Sequence, residues 1–214
     1  MPLILKETFL DDCLFGIWEI QETYDELLSQ LHLFPGEKER LLGFGSDARK
    51  IEFLSVRVLL KNLTGTSGPI VYNDHRKPYL HQSDYRLSIS HSRTLTAIMI
   101  SKNKKIGLDL EYMSHKISEI EHRFINEDEY ITPDPEKHRY HLYIHWCAKE
   151  ALYKLCDKQD ISFQKNLTIE PFEPQEYGII NGWVDNKFWH DKFQLNYFSI
   201  NNYIVVYCCK KLSA

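Results

Sequence analysis

The chain has 214 residues, of which 43% are apolar and 26% charged, values of one ordinary globular domain or two small fused ones. That composition excludes a disordered chain, a collagen and a coiled-coil rod. Lys and Arg (26) against Asp and Glu (30) leave a net charge of −4, so no basic excess points to nucleic acid or to an anionic membrane as a partner.

The opening MPLILKETFLDD interrupts its apolar stretch with Lys6 and Glu7, unlike a secretory leader. Cys13, Cys147, Cys156, Cys208 and Cys209 form no CxxC pair. The expectation is therefore a cytoplasmic protein with reduced thiols. Ser46-Asp47 marks a helix start. Phe53, Val56, Leu60 and Leu63 then recur at helical spacing, and Gly65 ends the run. Tyr85, Leu87 and Ile89 alternate with polar residues as a half-buried strand. A turn over His91–Thr94 leads to a strand at Leu95–Ile100, a turn at Lys102–Lys105 and an alternating strand at Ile106–Glu111. Helical patterns cover 117–130 and 137–155. Phe193–Ile200 and Tyr203–Cys209 read as a hairpin around Asn201-Asn202. Each half thus offers a helix and a strand pair, which suggests two related α+β halves.

Several chemical-looking signals have plainer explanations. Gly43-Phe44-Gly45-Ser46-Asp47-Ala48 has the spacing of a dinucleotide loop, but no strand precedes it. His141 and His145 have a zinc-ligand spacing, but Leu142 stands where a metalloprotease carries Glu. Cys147 would need a paired base to act as a nucleophile. Lys102, Lys104 and Lys105 read as a solvated face.

Three segments point further. In Ile106-Gly107-Leu108-Asp109-Leu110-Glu111, a period of two places Gly107, Asp109 and Glu111 on one strand face. A hard cation such as Mg²⁺ would relieve the repulsion of the two carboxylates, and Gly107 would leave room for a ligand beside it. An exposed acidic edge explains the six residues equally well. In Trp146-Cys147-Ala148-Lys149-Glu150-Ala151-Leu152-Tyr153-Lys154, Glu150 and Lys154 are neighbours on one helix face. They make either a surface ion pair or a third acid with a phosphate-binding lysine. Leu87-Ser88-Ile89-Ser90-His91-Ser92 places His91 and two hydroxyls at a strand end, as turn chemistry or as a phosphate contact.

The order of these segments resembles the 4'-phosphopantetheinyl transferase superfamily, in its larger single-chain type similar to the surfactin-synthetase activator. That family pairs a Gly-x-Asp-x-Glu strand with a Trp-x-x-Lys-Glu-Ala-x-x-Lys helix. Both patterns are complete here, in Gly107, Asp109 and Glu111 and in Trp146, Lys149, Glu150, Ala151 and Lys154. Ser90-His91-Ser92 lies upstream. His75-Arg76-Lys77-Pro78 resembles the family's Gly-Lys-Pro with Arg76 in place of Gly, and Phe124 with Glu129-Tyr130 resembles its Phe…Glu-Tyr. The resemblance spans about residues 36–163.

The resemblance implies an α+β fold of two similar halves with pseudo-twofold symmetry, 1–105 and 106–214. Each half would pack a small, mostly antiparallel sheet on a long helix, with the active site at their junction and the metal and catalytic motifs in the second half. It implies a transferase that moves the phosphopantetheine arm of coenzyme A to a serine of an apo acyl or peptidyl carrier protein, releasing 3',5'-ADP. Mg²⁺, or Mn²⁺, would be held by Asp109, Glu111 and Glu150. Glu150 would take the serine proton and Lys154 would neutralise phosphate. Lys77, Ser90 and His91 match positions that contact coenzyme A, and Asp109 would share in binding it. Arg49 and Lys50 lie in the basic stretch opening the first long helix, where the family also contacts the nucleotide and where solvated surface charge explains them about equally well. Glu129 would assist the metal or the base. The protein would act as a monomer, without nucleic acid or membrane. Two rivals stand beside this reading, a Mg²⁺-dependent hydrolase of nucleotide pyrophosphates and a non-catalytic carrier-binding descendant.

Overall fold

The computed structural model describes residues 2–9, 12–65, 68–157 and 160–212. The chain divides into two compact units, residues 1–103 and 104–214. Among the described residues no helix is long and apolar enough to cross a membrane.

The first unit opens with strands β1 (Leu3–Phe9) and β2 (Cys13–Glu19), followed by helices α1 (Tyr24–Ser29), α2 (Pro35–Leu42) and α3 (Asp47–Thr64). Strands β3 (Ile70–Tyr72), β4 (Pro78–Leu80), β5 (Arg86–Ser92) and β6 (Leu95–Ser101) complete it. Its six strands form an antiparallel sheet in the order β1-β2-β6-β5-β4-β3. Helix α3 lies against β2 and β6. Its ends follow from local chemistry. The Ser46 hydroxyl accepts from the Arg49 amide, and Gly65 closes the helix at φ 72°, a left-handed conformation that glycine adopts without a Cβ penalty. The core between helix and sheet includes Leu54, Leu59, Leu87 and Ile98.

The second unit begins with strand β7 (Lys104–Tyr112). A short helix α4 (Ile117–Ile120), a 3₁₀ turn at Glu121–Arg123, the long helix α5 (Pro135–Leu155) and a short helix α6 (Phe163–Asn166) follow. Strands β8 (Leu167–Ile169), β9 (Tyr177–Asp185), β10 (His190–Ile200) and β11 (Tyr203–Lys211) end the chain. The five strands form an antiparallel sheet in the order β7-β11-β10-β9-β8. Helix α5 packs on β7 and β11. The architecture is α+β, with one antiparallel sheet and one long helix in each unit.

Three expected element bounds change. The turn expected at His91–Thr94 narrows to residues 93–94, because His91 and Ser92 pair with Thr96 and Leu95 between β5 and β6. The helix expected over 117–130 stops at Ile120, because Phe124 turns into the core and Asn126 and Glu129 cap a loop: the Asn126 amide donates to the Glu129 carboxylate at 2.9 Å. The turn expected at Lys102–Lys105 is shorter, since Lys104 and Lys105 already pair with Lys211 and Lys210 in β7 and β11. Lys104 is buried rather than part of a solvated face.

Candidate active site

The second unit brings the acidic strand and the acid–lysine helix into contact. Strand period two turns Gly107 and Asp109 toward α5. A Cβ on Gly107 would lie 1.9 Å from the Ala151 carbonyl oxygen and 3.1 Å from the Leu155 Cβ. The space expected beside Gly107 for a ligand is therefore filled by the backbone of α5. One step along the strand, the Lys154 ammonium donates to Asp109 Oδ1 at 2.7 Å and to the Leu108 carbonyl at 3.0 Å. Asp109 is buried at 3% exposure, and a charged hydrogen bond offsets the desolvation of its carboxylate. Glu111 on β7 and Glu150 on α5 are half-buried.

Cys147 lies one helical turn before Ala151 and is fully buried. Burial pushes its thiol well up, and the negative charges of Asp109 and Glu111 push it in the same direction. A thiol held protonated by its surroundings is a packing residue, not a nucleophile. Helical spacing places Cys147 on one face with Glu150, Ala151 and Lys154, but not beside Asp109 and Glu111 on β7.

The His141–His145 pair is structural. Both rings are fully buried and pack on Phe172, with centroids at 4.4 and 5.4 Å. His141 Nδ1 accepts from the Thr132 amide at 3.1 Å, so that nitrogen carries no proton. Burial, with His145 nearby, lowers the His141 pKa to about 4. Among the described residues, no three His, Cys, Asp or Glu side chains stand as a ready-made metal cage.

Lys149 and Glu129 form a second polar centre. Their side chains are fully buried and meet at 2.6 Å. The same ammonium donates to the Phe163 carbonyl at 3.0 Å and to the Phe124 carbonyl. Glu129 Oε1 accepts from the Ile169 amide at 2.7 Å, and His145 Nδ1 lies 3.6 Å from that oxygen. Burial raises the Glu129 pKa, but His145 and Lys149 outweigh it and hold the carboxyl below its usual range. Together these contacts tie α5 to the 121–134 loop and to α6, and that loop to β8. A signal for an inward Lys149 was present, for it shares a stripe with Leu142, His145 and Leu152 at helical spacing.

The remaining candidates belong to the first unit. Arg49, in the first turn of α3, donates to Glu52 at 2.7 Å and stands 3.5 Å from His91 Nε2, while His91 Nδ1 is 3.6 Å from Glu52. Arg49, Glu52 and His91 are thus one cluster. Lys50 pairs with Asp47 at 3.0 Å. Ser90 is buried on β5. Lys77 lies in the β3–β4 hairpin, where Asn73 Oδ1 accepts from the amides of His75 and Lys77 at 3.1 and 2.9 Å. Arg76 between them has φ 58°, a left-handed backbone at the position that carries Gly in the resembling pattern.

No curated protein matches the chain. Residues 105–208, which include Asp109, Glu111, Glu150 and Lys154, match the family model described as the 4'-phosphopantetheinyl transferase superfamily, and the match supports a phosphopantetheinyl-transfer role in general terms.

Proposed function

We propose that the chain transfers the 4'-phosphopantetheine arm of coenzyme A to a serine hydroxyl of an apo acyl or peptidyl carrier protein, with release of 3',5'-ADP. The observation that carries this reading is the Asp109–Lys154 contact between β7 and α5, inside the segment matched by the family model. Phosphoryl transfer needs positioning and charge neutralisation more than covalent catalysis, and acids beside a lysine supply both.

The serine oxygen attacks the pyrophosphate phosphorus that bears the pantetheine arm. The bond from that phosphorus to the bridging oxygen breaks, and the oxygen leaves on 3',5'-ADP. Glu150 accepts the serine proton, directly or through one water. Lys154, now shared with Asp109, neutralises the leaving phosphate. A divalent cation fits the donor chemistry of Asp109, Glu111 and Glu150, all hard carboxylate oxygens, and when bound it neutralises pyrophosphate charge. Mg²⁺ commonly takes one or two carboxylates and completes its shell with water and substrate phosphate, so it needs no all-protein cage. Arg49, Lys50, Lys77, Ser90 and His91 are assigned to coenzyme A phosphates. Arg49 and His91 lie 3.5 Å apart with Glu52 between them as their present anionic partner, so a coenzyme A phosphate would compete with that carboxylate. The shared plan of sheet and long helix supports a pseudo-twofold relation between the halves, the second carrying the catalytic motifs. The reading includes a cytoplasmic monomer resembling the surfactin-synthetase activator type.

The test is intact-mass spectrometry of an apo carrier protein incubated with the chain, coenzyme A and Mg²⁺, with EDTA as control. A metal-dependent gain of one phosphopantetheine supports the reading. Coenzyme A consumed without a gain on the carrier assigns the hydrolase instead. Glu150→Gln should keep coenzyme A affinity while lowering transfer by about two to four orders of magnitude, the usual contribution of a general base. Near-normal transfer by that variant removes Glu150 from its role.

A further inference from the structure

Helices α1 and α2 and the segment between them border an open cleft of about 390 Å³ in the first unit, lined by none of the residues assigned to the reaction above. Leu33 and Leu41 are buried at its floor. Tyr24, Leu28 and Leu31 form half-buried walls. Leu42 stands at its edge with 79% of its surface in solvent. Two cation-capable side chains, Lys38 and His32, complete the lining, which holds no acidic side chain among the described residues. Lys38 and Leu42 are one turn apart on α2, so the ammonium and the exposed leucine share a face. The nearby Glu26 is engaged elsewhere, in a capping box with Thr23.

We propose that this cleft binds a medium-chain aliphatic carboxylate. Small-molecule sites are mostly apolar, with a few polar groups that fix orientation, and measure roughly 300–1,000 Å³. A volume near the lower end suits one aliphatic chain and not a two-chain lipid. The leucine walls take the chain. Charge complementarity selects its head, because among the described residues the basic side chains of the lining are a lysine and a histidine and its one other polar group is the neutral Tyr24 phenol. Each methylene moved from water to the leucine walls strengthens binding about fourfold. The contact of the ammonium with the head group, partly exposed to water, contributes about fivefold.

The test titrates the full chain with hexanoate, octanoate and decanoate below their micelle-forming concentrations, followed by calorimetry and by the NMR signals of His32 and the leucine methyls. Decylammonium and anionic phospholipid vesicles are run in parallel. Lys38→Glu and Leu42→Asp, both at exposed positions, are first shown by thermal melting to be folded. The expected result is saturable 1:1 binding that tightens with chain length, shifts the His32 and leucine signals, and weakens at least fivefold in each variant. Decylammonium should bind more weakly than decanoate. Absence of saturable binding overturns the proposal, as does equal binding of decylammonium or indifference to both substitutions. Adsorption to vesicles without decanoate binding also overturns it and assigns the patch to a membrane surface. None of these outcomes depends on whether the chain transfers phosphopantetheine.

Discussion

Gly107 has a packing role that its sequence context does not disclose. A glycine beside two acids suggests room for a bound group, yet its missing side chain makes room for the Ala151 carbonyl of α5. Only tertiary contact distinguishes the two, because both require the absence of a Cβ. Gly107→Ala puts a methyl 1.9 Å from a backbone oxygen that no rotamer change can move. The expected loss is at least about 3 kcal/mol, at or beyond the upper end of ordinary overpacking, because strand and helix must separate. Urea unfolding at neutral pH measures it; a loss below about 1 kcal/mol would return the position to a ligand-space role. Arg76 gives the opposite case. Its left-handed backbone costs about 1–2 kcal/mol, whereas glycine there costs roughly 0.5–1 kcal/mol in unfolded-state entropy. Arg76→Gly should therefore stabilise the fold by roughly 0.5–1 kcal/mol, read from the same unfolding curves.

Among the secondary elements, the buried Lys149–Glu129 pair is what shapes the segment before α5. Removing one member of a buried pair leaves an uncompensated charge, at about 3–5 kcal/mol. Lys149→Met should destabilise by that amount, and Glu129→Gln added to it should recover a large part, because the orphaned charge is gone. Strictly additive losses in this double-mutant cycle would show that the pair is not coupled. The same pair explains an unread stretch of sequence. Helical spacing over 117–130 is genuine, but Phe124 and Glu129 are spent on contacts with α5 and β8, and the chain leaves the helix to make them. Helix α3 was legible because its signals are local: a Ser46 cap, an apolar stripe and a Gly65 stop. The β10–β11 hairpin was legible for the same reason, with Asn201 at φ 51° in its turn. Strand β2, CLFGIWE, carries no alternation because nearly all of it is buried, and Gly16 within it makes way for Leu59 and Leu63 of α3. At the candidate site, the shared face of Gly107 and Asp109 followed from strand period. The Lys154–Asp109 contact joins residues 45 apart, which no local rule reaches.

For the molecule as a whole, the buried histidines add an acid-sensitive contribution to stability. His141 has an unfolded-state pKa near 6.5 and a folded value of about 4, lowered by burial and by its neighbour His145. His145 is shifted downward too, first by its own burial. Above pH 6.5 His141 is neutral in both states and its buried ring carries no penalty. Between pH 6.5 and about 4 the unfolded chain takes up a proton that the folded chain refuses, so stability falls as pH falls. Below about 4 the folded protein binds the proton as well, and this contribution stops changing. The full span is worth about 3 kcal/mol at 1.36 kcal/mol per pKa unit, a large part of the margin of a marginally stable protein. His141→Asn keeps an acceptor for the Thr132 amide but cannot titrate. That variant should start lower at pH 7.5, having lost ring contact with Phe172, and should then lose less stability between pH 6.5 and 4 than the parent. Urea midpoints measured across this window for both proteins decide the matter. Converging curves assign the acid sensitivity to His141, and parallel curves assign it to the carboxylates, whose native pairs are also lost as they protonate.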